Sequence, residues 1–276
     1  MAHSDSAPLL VWRHFPAGEH GFYRAPVLII GSTEVVLIDG GFTYSDGRAV
    51  VDAIKATGKR LTLIYISQSD PDYYFSLSPI KAAFPDARVI AASATVAAML
   101  GNVEKKLAIW GPQLKEDGPQ TLADVVIPET FDARTLTVNG ETIEICDAEG
   151  LPNRRYLWVP SLRAVFGGVL IFSGVHVWTA DTNGADQRAA WRANLDALAA
   201  RKPTVVVAGH MAPGAAADAS AINHTKEWLL AFEEELSKAV DSAGLDAAMK
   251  ARFPSLGMEV AIDIGAKVAT GEMKWG

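Results

Sequence analysis

Cysteine is almost absent from this chain of 276 residues: Cys146 is the only one. That excludes an internal disulfide framework and any cysteine-rich zinc module, since both need several thiols. Its segment, Thr142-Ile143-Glu144-Ile145-Cys146, alternates like a strand, so Cys146 reads as a small core residue. Basic charge is also short, with 25 Lys and Arg against 32 Asp and Glu and a net charge of −7. With no basic run to reverse that balance, nucleic acid and anionic membranes are poor partners. No stretch approaches the roughly 18–20 apolar residues of a membrane span. The segment from Met1 to Pro8 lacks the positive region and apolar stretch of a signal peptide. No Gly-x-Ser-x-Gly elbow is present, and the turns at Gly40-Gly41 and Gly167-Gly168 match neither a phosphate loop nor a dinucleotide fingerprint. The expectation is a soluble, cytoplasmic protein that takes a small molecule, with a homodimer left open.

What the chain does have is apolar residues, 49% against 21% charged, enough for a sizeable core without staples. Apolar β-branched runs predict strands at Leu9 to Phe15, Val27 to Ile30, Glu34 to Ile38, from Leu61, and at Arg88 to Ala91. Helical spacing predicts helices over Asp46 to Thr57, up to about Phe84, and from Ser93 to Leu100. Residues 101–128 read as an insertion with some helix, either a cover over a cleft or an ordinary surface excursion. Asn139-Gly140 between two alternating runs predicts a tight hairpin. Further strands follow at Tyr156 to Val159, Ala164 to Phe166 and Thr204 to Val207, with helices over Asp186 to Ala200 and Ser220 to Val240. A short helix and an apolar tail complete the chain. No linker divides it, so residues 1–276 are read as a single domain.

The stretch from Ile64 to Ser76 concentrates the polar signals. A buried strand runs into Asp70-Pro71-Asp72, which reads as a helix start with an N-cap acid and Pro at the first helical position. Polar groups at a strand's C-terminal edge and a helix N-terminus are where α/β proteins commonly keep their chemistry.

These segments resemble the metallo-β-lactamase superfamily, whose His-x-His-x-Asp-His motif falls on Gln68, Asp70, Asp72 and Tyr73. The resemblance implies a four-layer αββα sandwich, with a core over about 26–213 and a C-terminal helical extension over about 219–276. Val35-Val36-Leu37-Ile38-Asp39-Gly40-Gly41 is similar to the family's early strand and its Asp turn, which implies that Asp39 holds the motif loop. Gly150 stands where the next metal-binding His would be, Gly168 where the bridging Asp would be, and Ala208-Gly209-His210 keeps the final His. Of seven positions, Asp72 and His210 are unchanged and Asp70 remains an oxygen donor. A dinuclear zinc site is therefore not expected. One divalent metal, Zn, Fe or Mn, on Asp70, Asp72, His210 and His176 is one expectation, and no metal at all is the other.

Without metal, the same residues offer acid–base chemistry. Nearby carboxylates would favour the charged form of His210, which would act as base for water with Asp72 orienting it. Tyr73 or Tyr74 and the Gln68 amide would stabilise an oxyanion. Two functions follow: a hydrolase-like enzyme attacking an ester, lactone or amide with water, or a non-catalytic small-molecule binder.

Overall fold

β2 (Val27–Ile30) and β3 (Glu34–Ile38) bury almost every side chain, as strands covered on both faces do. The structure, a computed structural model, describes residues 10–275, so Leu9 and the Met1 to Pro8 segment lie outside the described residues. Within that range the first strand, β1, is Val11–His14. With β4 (Arg60–Ile66), β5 (Arg88–Ala91) and β6 (Glu129–Thr130) these strands form a six-stranded sheet in chain order. β1 to β3 pair antiparallel, and β3 to β6 pair parallel.

Helix α1 (Tyr44–Thr57) starts two residues before the expected Asp46, because Thr43 and Asp46 close a capping box. The helix expected directly after Asp70-Pro71-Asp72 does not form there. Pro71–Tyr73 makes one 3-10 turn, and α2 begins later and spans Leu77–Ala83. The intervening Tyr73, Tyr74 and Phe75 are all drawn into the core, and the Gly41 N–H donates to Ser76 Oγ at 2.6 Å. Asp70 caps nothing with its side chain.

Helix α3 runs from Ser93 to Leu114, well past the expected Leu100. Met99, Val103 and Leu107 recur every four residues and are buried, and this stripe carries the helix through Gly101. Pro112 sits in the last turn.

The second sheet has the order β12-β10-β9-β8-β7. Its strands are β7 (Thr135–Val138), β8 (Glu141–Asp147), β9 (Arg155–Val159), β10 (Ala164–Phe166) and β12 (Val205–Val207). A short parallel pair, β11 (Phe172–Ser173) and β13 (His210–Met211), lies beside it. Asn139 and Gly140 take φ of 49° and 85°, the two positive angles a tight hairpin needs. The Asn139 amide also reaches the other sheet. Its Oδ1 accepts from the N–H groups of Thr33 and Glu34, both at 3.1 Å, and its Nδ2 donates to Thr33 Oγ1 at 2.6 Å.

Helices α4 (Ala185–Ala200) and α5 (Ser220–Leu236) cover the second sheet, with Trp191, Leu195, Trp228 and Phe232 buried. α5 stops short of the expected Val240, which is 98% exposed, because Asp241 caps a new helix through the Gly244 N–H at 2.8 Å. The apolar tail is two helices, α6 (Ser242–Arg252) and α7 (Glu259–Ala269), packed on each other. No helix among the described residues is long and apolar enough to cross a membrane.

Asn139→Gly keeps the turn's permitted φ and removes only the links to Thr33 and Glu34. The expected loss is about 1–2 kcal/mol, the net worth of a few exposed hydrogen bonds. Urea unfolding measures it; an unchanged midpoint would show that the sheets need no such tie.

Candidate active site

Three loop ends meet where the two sheets open. Arg24 precedes β2 and pairs through a single antiparallel bridge with His210. The Ala25 N–H donates to Gly209 O at 3.0 Å, and the Met211 N–H to Tyr23 O at 2.7 Å. A Cβ on Gly209 would fall 1.7 Å from Gly168 O and 2.9 Å from Arg24 Nη1, so only glycine lets these segments close around the guanidinium. Asp39 ends β3 with φ of 59°. Its Oδ1 accepts from the Ser67 N–H at 2.7 Å, and its Oδ2 from Ser67 Oγ at 2.8 Å and Arg24 Nη2 at 3.2 Å. Burial pushes the Asp39 carboxyl up, while Arg24 and the Ser67 hydrogen bonds oppose this.

Around that frame sit Asp72, Tyr73 and His210, all buried. His210 Nδ1 lies 2.7 Å from Phe22 O, which makes it the protonated nitrogen and leaves Nε2 as an acceptor. Tyr73 Oη is 3.3 Å from that Nε2 and donates to it. Phe172 stacks on the imidazole at 4.9 Å with planes 4° apart. Burial, with Arg24 adding to it, lowers the His210 pKa well below 6.5. The expectation that carboxylates would charge His210 is thus corrected: its enclosure and the neighbouring guanidinium keep it neutral.

Asp72 behaves in the opposite way. Its Oδ2 lies 3.6 Å from His210 Nε2 and 3.7 Å from Arg24 Nε, and it has no hydrogen-bond partner; Arg24 Nε is likewise unpartnered. Burial pushes the carboxyl up to about 7, with Arg24 pulling it down and Asp70 adding to the rise. The Arg24 guanidinium lies 3.5 Å over the Tyr73 ring. Burial raises the Tyr73 hydroxyl well above its ordinary range, so it remains a donor.

Asp72, Tyr73 and His210 form the floor of a pocket with a cavity volume of about 80 Å³. Phe22, Phe42, Trp110, Trp178 and Val169 supply apolar wall, and Met258, Val260, Ile264 and Trp275 close one side from the C-terminal region. Asp70 and Lys106 add the remaining charge, with Nζ 3.5 Å from Asp70 Oδ1. Desolvation raises the Asp70 carboxyl, with Lys106 opposing.

The other expected residues lie elsewhere. Gln68 turns back on its own loop, where its Oε1 accepts from the Ser69 N–H at 2.6 Å, Ser69 Oγ at 3.1 Å and Asn153 Nδ2 at 3.4 Å. His176 is outside the pocket and takes a hydrogen bond on Nδ1 from Trp228 Nε1 at 3.1 Å; burial brings its pKa down to about 4. Gly150 is in an exposed turn beside Ala190. Gly168, at φ 47°, packs against Ser67 and Arg155 O with no room for a side chain. Tyr74 is core, its hydroxyl unpartnered.

Arg24, Lys106 and the α7 residues escaped the sequence reading. Lys106 and Trp110 are four apart on the same helix as the Met99–Val103–Leu107 stripe, and Val260 and Ile264 repeat that spacing, so a period count had access to them. Arg24 carries no signal beyond a lone basic residue ahead of an apolar strand.

A divalent metal does not fit these residues. Arg24 already places a cation between Asp39 and Asp72, and Asp70 and Gln68 are engaged with Lys106 and the Ser69 loop. Among the described residues no group of three or more His, Cys, Asp or Glu is arranged to hold a metal ion.

No family model and no curated protein sequence matches the chain. Solved structures do match. A metallo-β-lactamase family protein from Thermus thermophilus is 16% identical with a TM-score of 0.63, over 96% of this chain and 94% of that one. A metallo-β-lactamase from Pontibacter korlensis is 19% identical with a TM-score of 0.55, over 82% and 97%. The DIM-1 metallo-β-lactamase is 16% identical with a TM-score of 0.51, over 82% and 99%. The chain has the metallo-β-lactamase fold.

The state of Asp72 makes stability depend on pH. Its carboxyl titrates at about 7 in the fold, against about 4 in an unfolded chain. The folded form keeps the proton where the unfolded form has lost it, so this contribution is complete below about pH 4 and fades as pH rises through 7. Asp72→Asn should therefore flatten the fall of the urea midpoint between pH 4 and 7.5. Asp39 and Asp70, shifted the same way, keep a falling component, and His210 and His176, shifted down, add a rising one that the variant leaves unchanged. An identical pH slope in the variant would mean that Asp72 is ionised in the fold.

Proposed function

We propose that this protein is a metal-independent hydrolase acting on an ester, lactone or amide of a small, partly aromatic molecule. The reading rests on one observation above the others. Asp72 lines a mostly apolar pocket that also holds Asp70 and Lys106, and its Oδ2, buried beside Arg24 Nε and His210 Nε2, has no hydrogen-bond partner. A base whose pKa sits near the working pH combines availability with driving force. In this reading Asp72, rather than His210, takes a proton from the attacking water as the water oxygen bonds to the acyl carbon. The proton then passes to the leaving alkoxide or amine as the tetrahedral intermediate collapses.

Lys106 is the donor available to the developing oxyanion, because the Tyr73 hydroxyl gives its proton to His210 Nε2. Neutral His210 holds the Tyr73 hydroxyl in place through Nε2 and is itself fixed by Phe22 O. The aromatic walls, Trp110 and Trp178 among them, favour a flat apolar group.

Hydrolysis of a panel of aryl esters and aryl-substituted lactones tests this. Turnover should rise with pH as Asp72 ionises, to half its plateau near 7. Asp72→Asn should lower kcat by about 100- to 10,000-fold, the usual worth of a general base. Tyr73→Phe should cost less than roughly tenfold, because it removes only a hydrogen bond to neutral His210. Unchanged turnover in Asp72→Asn would refute the role.

A second reading, a binder without turnover, is favoured by the way the Tyr73 hydroxyl pairs with His210 rather than facing the pocket. Saturable quenching of tryptophan fluorescence by panel compounds that are not hydrolysed would select it.

A further inference from the structure

We propose that the buried guanidinium of Arg24 has taken over the metal's structural task in this fold, gathering the site loops around an internal cation and excluding a divalent ion. Arg24 is 1% exposed, and each of its nitrogens addresses a different loop. Nη1 donates to Gly209 O at 2.5 Å, beside His210. Nη2 donates to Asp39 at the end of β3 at 3.2 Å, and Nε faces Asp72 in the loop after β4 at 3.7 Å. The planar face lies 3.5 Å over the Tyr73 ring. A point cation such as an ammonium makes none of these forked or stacked contacts together; the flat, permanently charged guanidinium does.

The surroundings are cut to fit it. Tyr73 supplies a ring to stack on where a ligand histidine would offer a nitrogen. Gly209 leaves the space, since a Cβ there would press on Nη1 at 2.9 Å, and Gly168 lets its own backbone pack on Ser67, the residue that holds Asp39. The substitution at Tyr73 therefore reads as part of one exchange of a metal for an arginine, and not as an independent loss. Arg24 lies behind Asp72, Tyr73 and His210 and outside the pocket lining, so it is a positioning residue. The inference shares its site with the hydrolase reading and stands whether the pocket turns substrate over or only binds it.

Two measurements test it. Calorimetric titration of the wild-type protein with zinc, and its thermal unfolding with and without EDTA, should show no stoichiometric zinc and no shift in Tm. Zinc held with a Kd below about 1 µM, and lost in His210→Ala, overturns the proposal. Arg24→Ala should unfold at a lower temperature than wild type. Millimolar ethylguanidinium should raise that Tm relative to ethylammonium in the variant but not in wild type, a rescue that generic loss of packing does not produce. Equal effects of the two compounds, or a Tm equal to wild type without additive, overturn it. Should Arg24→Ala not fold, the zinc titration and Arg24→Lys decide: a Lys variant as stable as wild type overturns the proposal, because charge alone would then suffice. Absence of hydrolysis would remove the hydrolase reading and leave every one of these outcomes unchanged.

Discussion

A positive charge enclosed among carboxylates is the interaction the rest of this site depends on. Arg24 is almost wholly withdrawn from water, as is Asp39, and Asp72 is nearly so. Taking such groups out of water costs several kcal/mol per ion, and only mutual attraction with good hydrogen bonds offsets it. Asp39 meets that condition through Ser67 and Arg24, whereas Asp72 does not, since its contacts are 3.6 and 3.7 Å. One carboxylate is thus a settled partner of the cation, and the other is a group whose proton is easily gained or lost. The different behaviour of two neighbouring acids follows from that inequality of distance.

Histidine shows the same environment acting on the opposite charge type. For His210, desolvation and a nearby cation act in one direction, towards the neutral ring, and the Phe22 carbonyl fixes which nitrogen carries the proton. For Asp72, desolvation and the cation act against each other. A single buried charge therefore separates the two groups, leaving the imidazole as a fixed hydrogen-bond acceptor and the carboxyl as the titrating member.

Apart from the exposed β6, the strands from Val27 to Phe166 were readable because their burial is written in short apolar runs and, at Asn139-Gly140, in turn chemistry. The fold was equally readable, since its segments come in a fixed order whatever happens at the metal positions. Helix boundaries were less so. α3 passes through Gly101 because a four-residue burial stripe outweighs one glycine, and α2 starts late because three aromatic side chains are worth more in the core than on a helix surface. Asp72, Tyr73 and His210 were nameable from spacing, but their protonation states were not. Those depend on Arg24, which lies 185 positions along the chain from Gly209, the residue before His210. Nothing local to Arg24 announces that partnership, and the same holds for Gln68, which only the loop geometry turns away from the pocket.

The pocket wall from Met258, Val260, Ile264 and Trp275 ties ligand occupancy to the docking of α7. A molecule that fills the pocket touches α7 as well as the floor, so it stabilises the docked helix by its own binding free energy. Reciprocity then requires that anything loosening α7 weakens the ligand by the same factor. For any molecule that filled the pocket, α7 would in this sense be a thermodynamic component of its binding, although none of the polar groups on the floor belongs to that helix.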